Sequence, residues 1–528
     1  MDLPDEMIIK IWNNLNNIDV LYSFVGVNKR FDKLVRALVY TRSIQLAEKD
    51  SKTNKYCPLP DLIIDRYCLD ILPQIHQYIE CLILEPFSIE RILLSTMYPR
   101  LHKLIFTKIN TDFVLHHFTE ESPLVNIFKN NITHLILTID RKGSTSSSRI
   151  DLREILLPRI FHTFTNLIEL DFNQNSIEGR PLISLYTLSS MIYYSASLAG
   201  LSISVKSFND CLCILDGRFS QLHKLYVIID QINTPSLSIE NLTAVTHLKC
   251  FSLCSYSETN EYNSYILPLI HQMIYLEELE LCLDVSHRST FIDGTHLKNE
   301  ILIYLPRLQI FMFNIKTHSK SMSNYMYMQS NNDISRTFLN WQYGRVNCYI
   351  SHYPDNAAQC HIFSLPCNMT YIYMISYGFQ GDVCKNVRIL YLSDREYPFK
   401  HEFFLRIARA FPFITHLTVL NNRIINNTDE SNDQLTSVVE FHHLISLSIR
   451  FQRAIYVEQF LVDTNTYLPN LIDLKISYNN LVTVTNNFTR DVTRRNCSNV
   501  QNLSFTIRTI TAHAKDFYLY FPCLKDIC

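Results

Sequence analysis

The feature that most constrains this chain is a spacing: an apolar residue, two variable residues, an apolar residue, one variable residue, and a third apolar residue, recurring from residue 79 onward. Instances begin at Ile79 (Ile79, Leu82, Leu84), Leu101 (Leu101, Leu104, Phe106) and Ile132 (Ile132, Leu135, Leu137), and continue from Leu167, Leu198, Leu222, Val245, Leu276 and Leu308. They resume at Val387, Ile414, Leu444, Leu471 and Val500, and the chain closes on Leu524 and Ile527. Within each run the starts lie 22 to 35 residues apart. Side chains of a strand alternate with period two, so the fourth and sixth positions share one face, and the first position caps the same core from the preceding turn. The rest of each unit returns along the other side. Leu297–Tyr304 and Phe403–Phe411 carry the spacing of return helices, closing on Pro306 and Pro412. Pro99 and Pro469 stand at the same place in their units, where a proline stops a helix and sets the chain extended. One such unit cannot bury its own apolar face, whereas stacked neighbours bury a continuous one. Stacking also suits the length of 528 residues, since a single compact core stops growing at about 250–300 residues.

Three units add an asparagine at position nine with an apolar residue two further on: Asn175 with Ile177, Asn422 with Ile424, and Asn479 with Leu481. An asparagine there can bond backbone groups left unpaired where the strand turns out. The pattern resembles the leucine-rich-repeat family, which implies an α/β solenoid curved into a horseshoe. The third and fifth positions of each unit then face outward on the concave side. They read Lys103/Ile105, His134/Ile136, Glu169/Asp171, Gly200/Ser202, Lys224/Tyr226, His247/Lys249 and Glu278/Glu280, followed by Ile310/Met312 and Ile389/Tyr391. Lys224, Tyr226, Lys249, Glu278, Glu280, Ile310, Met312, Ile389 and Tyr391 form the candidate surface for a protein substrate. The apolar group Ile310, Met312, Ile389 and Tyr391 is its expected hot spot, unless residues 314–386 cover it. In that segment the repeat fades. Alternation over Arg345–Ile350 and His361–Leu365 predicts strands, either from two or three degenerate repeats or from an inserted hairpin. Arg141–Arg149 and Asn421–Asp433 have the composition of exposed loops.

Residues 1–46 follow another logic. Leu3-Pro4-Asp5-Glu6 opens a helix, with proline in the first turn and carboxylates at the positive end of the dipole. Met7, Ile8, Ile11, Trp12 and Leu15 fall at helical spacing. Asp19 is placed to cap a second helix bearing Val20, Leu21 and Phe24, and Asn28 a third bearing Phe31, Leu34, Val35 and Leu38. Three such helices are too small to be stable alone and need something to complete their core. The stretch resembles the F-box through Leu3-Pro4-Asp5-Glu6, Ile8-Ile11-Leu15, Asp19-Val20-Leu21 and Val27-Asn28-Lys29-Arg30-Phe31. Asn28 stands where that family commonly has cysteine or serine, and Phe31 where it has tryptophan.

The resemblance implies an F-box/leucine-rich-repeat protein. A short three-helix head over 1–46 would precede a linker or capping segment over 47–78 and an irregular repeat horseshoe over 79–528. It implies a substrate-recognition subunit of an SCF-type cullin–RING ubiquitin ligase, not itself an enzyme. Leu3, Pro4, Ile8, Ile11, Leu15, Val20, Leu21 and Val27 would face the Skp adaptor. The alternative is a repeat scaffold of another purpose, whose N-terminal helices only cap the array.

The remaining chemistry points the same way. Lys and Arg number 48 against 50 Asp and Glu, so no excess charge calls for nucleic acid or an anionic membrane. Nine glycines form neither a GxGxxG nor a GxxxxGK[ST] loop. Asp2, Asp5 and Glu6 after Met1 do not resemble a secretory leader, and fifteen unpaired-looking cysteines fit a reducing compartment, cytoplasmic or nuclear. Leu182–Val205 carries no charge, but its seven serines predict a buried helix and strand rather than a membrane span. Cys348, His352, Cys360 and His361 match no familiar metal-ligand spacing, so no metal and no cofactor is expected.

Overall fold

The computed structural model describes residues 3–527 except 37, 50–55, 120, 123–124, 126–127, 140–151, 173–181, 187–193, 241, 243, 320–328, 353–357, 367–370, 376–378, 380, 382, 395–398, 422–436, 451–453 and 507–515. The chain forms two compact units. The first comprises Met1–Asp284 with Lys298–Phe311, and the second Val285–Leu297 with Met312–Cys528.

Among the described residues, fourteen strands precede residue 366: β1 Ser43–Leu46, β2 Glu48–Lys49, β3 Tyr56–Cys57, β4 Cys81–Leu84, β5 Lys103–Ile109, β6 His134–Ile139, β7 Glu169–Asp171, β8 Gly200–Ser207, β9 Lys224–Gln231, β10 Cys250–Thr259, β11 Glu278–Arg288, β12 Ile310–Ser319, β13 Arg345–His352 and β14 Ala358–Leu365. Twelve of them make one sheet in the order β1-β4-β5-β6-β7-β8-β9-β10-β11-β12-β14-β13, while β2 and β3 pair separately. Pairing is parallel from β1 through β10. At the other end β14 lies antiparallel to both β12 and β13. The alternation of the sequence sets which face is buried: Leu104, Phe106, Leu135, Leu137, Leu201, Ile203, Leu225 and Val227 all point into the core. Each contributes about 1.5–3 kcal/mol by leaving water.

The second half makes a separate sheet. Its strands are β15 Tyr371–Ile375, β16 Ile389–Asp394, β17 His416–Asn421, β19 Ser446–Arg450, β21 Asp473–Ile476, β22 Asn502–Phe505 and β23 Asp526–Ile527, neighbours in that order and parallel. The short strands β18 Val439–Glu440 and β20 Thr466–Tyr467 pair beside it. Leu390, Leu417, Leu447, Leu474 and Leu503 anchor its core together with Phe403, Phe404 and Ile407 of the helix His401–Ala410.

Four short helices open the chain: α1 Asp5–Trp12, α2 Asn17–Phe24, α3 Lys29–Val35 and α4 Leu38–Thr41. Trp12 is their hub. Its ring lies 4.5 Å from Phe24, 5.6 Å from Phe31 and 5.9 Å from Tyr40, centre to centre. Asn28 caps α3 by accepting from the Phe31 amide at 2.8 Å. Asp19, expected as the cap of the second helix, lies inside α2, whose cap position is Asn16. Gly26 takes φ +80°, a turn that favours glycine, and its amide donates to Asp32 at 2.7 Å.

A short three-helix F-box head followed by one continuous leucine-rich-repeat horseshoe is therefore not the architecture found. The fold is α/β, but its first 41 residues hold four helices that pass directly into β1, a strand of the large sheet. The expected linker carries helices over Asp61–Arg66, Tyr67–Ile71 and Leu72–Ile75, against which the first helices pack. The repeats form two sheets rather than one: β14 takes the pairing edge of β12, and β15 pairs with β16 in the second sheet. Residues 314–386 thus contain an antiparallel hairpin, β13–β14, and then a parallel strand, β15.

Other expectations divide. Return helices occur at Gly294–Glu300, continued by a 3-10 turn over Leu302–Tyr304, and at His401–Ala410. Val245 is not the first position of its unit. Ala244–His247 is a 3-10 turn and the strand begins at Cys250, so Leu248, Phe251 and Leu253 carry the pattern three residues later. Asn479 lies in the helix Tyr478–Val484 instead of bracing a turn. Asn175, Ile177, Asn422 and Ile424, with the loops Arg141–Arg149 and most of Asn421–Asp433, fall outside the described residues. The described residues of Leu182–Val205 include no helix, and no described helix is long and apolar enough to cross a membrane.

Candidate functional site

The outward side chains of the large sheet form two rows that cross the strands. Strand register aligns Lys103, His134, Glu169, Gly200, Lys224 and Cys250 in the first row. It aligns Ile105, Ile136, Asp171, Ser202, Tyr226 and Ser252 in the second. From Lys103 to Tyr226 the rows floor a groove of about 410 Å³. The sequence expected these outward positions up to β9, and the structure brings them together.

Charge alternates along the groove. His134 sits between Lys103 and Glu169, with Nδ1 2.8 Å from the Thr133 hydroxyl and Nε2 3.7 Å from Glu169. Its pKa is lowered by burial, against the pull of Glu169 and with further lowering from His102 and Lys103, so the ring is neutral at pH 7. Gly200 leaves room for its neighbour: a Cβ there would stand 3.2 Å from Glu169 Cγ. Beyond Lys224, the Cys250 thiol donates to the Tyr226 hydroxyl at 3.2 Å. Burial pushes Cys250 up to about 11 and raises Tyr226 as well, so both keep their protons at neutral pH. A protonated thiol is a hydrogen-bond donor and a poor nucleophile. Glu280 accepts from Ser252 at 2.9 Å, and burial raises its pKa. This surface offers alternating charge, a tyrosine ring and shape, which suits binding.

The expected substrate residues scatter around the groove. Lys224 and Tyr226 line it. Glu278 and Glu280 lie on β11, two strands beyond Tyr226. Lys249 precedes β10 rather than joining the outward row, and its ammonium pairs with Glu277 at 3.1 Å. Cys250 and Ser252 occupy that row instead. Their signal was the second match to the repeat starting at Leu248. The apolar group is divided between the two units. Ile310 is exposed in the first unit, while Met312, Ile389 and Tyr391 belong to the second. Tyr391 is 7% exposed, and Tyr371 of β15 packs edge-on against it at 5.6 Å. The segment 314–386 thus supplies the ring that covers it.

The N-terminal helices present a second surface. Leu3, Met7, Ile11, Leu15, Val27 and Val39 are all exposed, at 42 to 61%. Met7 and Ile11 are one helical turn apart on an exposed flank of α1, beside the buried flank of Ile8 and Trp12. Arg30 holds the stretch before α1 by pairing with Asp5 at 2.6 Å and donating to the Leu3 carbonyl. Of the eight expected adaptor-facing residues, Leu3, Pro4, Ile11, Leu15 and Val27 face outward. Ile8, Val20 and Leu21 close the chain's own core and are not available to a partner. Met7 and Val39 join the outward set, and Met7 was legible at the same helical spacing as Ile11.

Among the described residues no three His, Cys, Asp or Glu side chains gather where a metal ion would sit. His361 instead bonds Tyr349 and Asn314, and the Cys348 thiol bonds Ser335 at 3.1 Å. The class defined by fold and surfaces is an α/β repeat protein with a polar groove on its sheet and an apolar stripe on its first helices. Compared with models of known protein families and with curated proteins, the sequence matches none.

Proposed function

We propose that this protein is a substrate-recognition subunit of a cullin–RING ubiquitin ligase of the cytoplasm or nucleus. Its N-terminal helices bind a Skp-type adaptor, and its sheet groove binds a protein destined for ubiquitination. The observation that carries this reading is the outward stripe Leu3, Met7, Ile11 and Leu15 on helices whose inward side is already filled. A folded helix that keeps one apolar side inward and a second outward has surface for a further protein. The F-box resemblance of Leu3-Pro4-Asp5-Glu6 and Val27-Asn28-Lys29-Arg30-Phe31 gives the kind of protein. The polar groove, with neutral thiol and phenol, supports holding a substrate while other subunits carry out the transfer.

A second reading is a scaffold outside any ligase, with the helices as a cap on the array. The burial of Val20 and Leu21, and the bond from Tyr67 to the Ile18 carbonyl, favour it. The two separate on adaptor binding. An Ile11→Asp, Leu15→Asp double variant leaves the Trp12 core intact. It should abolish co-purification of the Skp-type adaptor while its circular dichroism and melting temperature match those of the parent. Adaptor retained by this folded variant, or never bound by the parent chain, assigns the protein to the scaffold class.

A further inference from the structure

We propose that the groove takes an extended peptide segment bearing one basic side chain flanked at three residues on each side by an acidic one. This deepens, and rests on, the reading of the groove as the substrate-binding surface.

Lys103, Glu169 and Lys224 lie in one row, each two strands from the next. Between them stand His134, neutral at pH 7, and Gly200, which has no side chain. The row therefore reads positive, neutral, negative, uncharged, positive. No ion pair engages the ammonium of Lys103 or Lys224 among the described residues. Two strand spacings amount to about 9.6 Å. A polyproline-II segment has three residues per turn and rises about 3.1 Å per residue, so side chains three apart share a face at about 9.3 Å. The two periods agree within about half an ångström at each step. A β-strand ligand lacks this match, because residues three apart point to opposite sides. A basic residue over Glu169 then places the acidic residues three before and three after it over Lys103 and Lys224, in either chain direction. The Glu169 side chain leans over Gly200, and the Tyr226 ring borders the end of the site.

The test uses the full-length chain and fluorescence anisotropy with labelled nine-residue peptides. Positions two, five and eight are varied among Asp, Arg and Ala, with Pro and Ala elsewhere. The Asp/Arg/Asp peptide is expected to bind at least ten-fold more tightly than the Arg/Asp/Arg peptide, and to lose that binding in Ser202→Trp, which fills the groove floor. Lys224→Glu should reverse the preference from Asp to Arg at one outer position, two or eight, and leave the other unchanged, a rescue that a merely misfolded variant cannot give. If another peptide binds as tightly and is still lost in Ser202→Trp, the charge pattern is wrong and the groove remains the binding surface. If no peptide is sensitive to Ser202→Trp, and partner proteins captured by the parent are also retained by that variant, both the pattern and the groove reading fall.

Discussion

The hydroxyl of Tyr67 donates to the backbone carbonyl of Ile18, 49 residues earlier in the chain. Tyr67 is fully buried, its ring stacks with Tyr22 at 6.3 Å, and Arg66 lies over that Tyr22 ring at 4.4 Å. These contacts join the opening helices to the helical segment at 61–75. Tyr67→Phe removes this donor from the half-buried Ile18 residue, which costs about 0.5–1.5 kcal/mol. The loss should appear as a lower urea midpoint and as faster tryptic cleavage at Arg36 and Arg42. Unchanged cleavage would mean that the helices are held by other contacts.

The two sides of α1 should respond oppositely to substitution. Trp12→Ala empties the centre of four packed rings and should cost about 3–5 kcal/mol. Ile11→Ser, one residue away on the exposed side, should stay within about 0.5 kcal/mol. Thermal unfolding of the two variants measures the contrast. A large loss for Ile11→Ser would show that the stripe is covered in the free protein.

Glu280 should make stability depend on pH. Burial raises its folded pKa above the ordinary 4.5, so the folded state binds its proton more tightly than the unfolded chain does. The favourable contribution is present below the unfolded value and is lost as pH rises through the folded value. Glu280→Gln keeps an acceptor for Ser252 and removes the charge. The melting temperature of the variant should therefore rise relative to the parent between pH 4 and pH 7. A constant difference across that range would locate the charge in water.

Thiol reactivity should follow burial. Cys523 is exposed, whereas Cys211 and Cys497 are fully buried, with pKa values raised chiefly by burial. Among these three, Cys523 should be alkylated first by iodoacetamide in the native protein, and the other two only after unfolding. Peptide mapping after a timed pulse reads the order. Prompt labelling of Cys497 would show that the last units of the second sheet open readily.

The apolar spacing by itself determined that strands recur, which of their faces is buried, and that Lys103, Glu169 and Lys224 lie outward, because strand alternation is a local property. Helical spacing likewise marked Met7, Ile8, Ile11, Trp12 and Leu15 as apolar, but only packing decided that Ile8 and Trp12 face inward and Ile11 outward. Tertiary structure decided what local spacing leaves degenerate. Val245 and Leu248 both satisfy the repeat, and only pairing with β9 selects Cys250 and Ser252 as the outward residues. Which neighbour covers Tyr391, whether Val20 and Leu21 face a partner or Tyr67's segment, and where one sheet ends also depend on residues far away in sequence. The β12 edge could pair with any strand, and the antiparallel approach of β14 settled that choice.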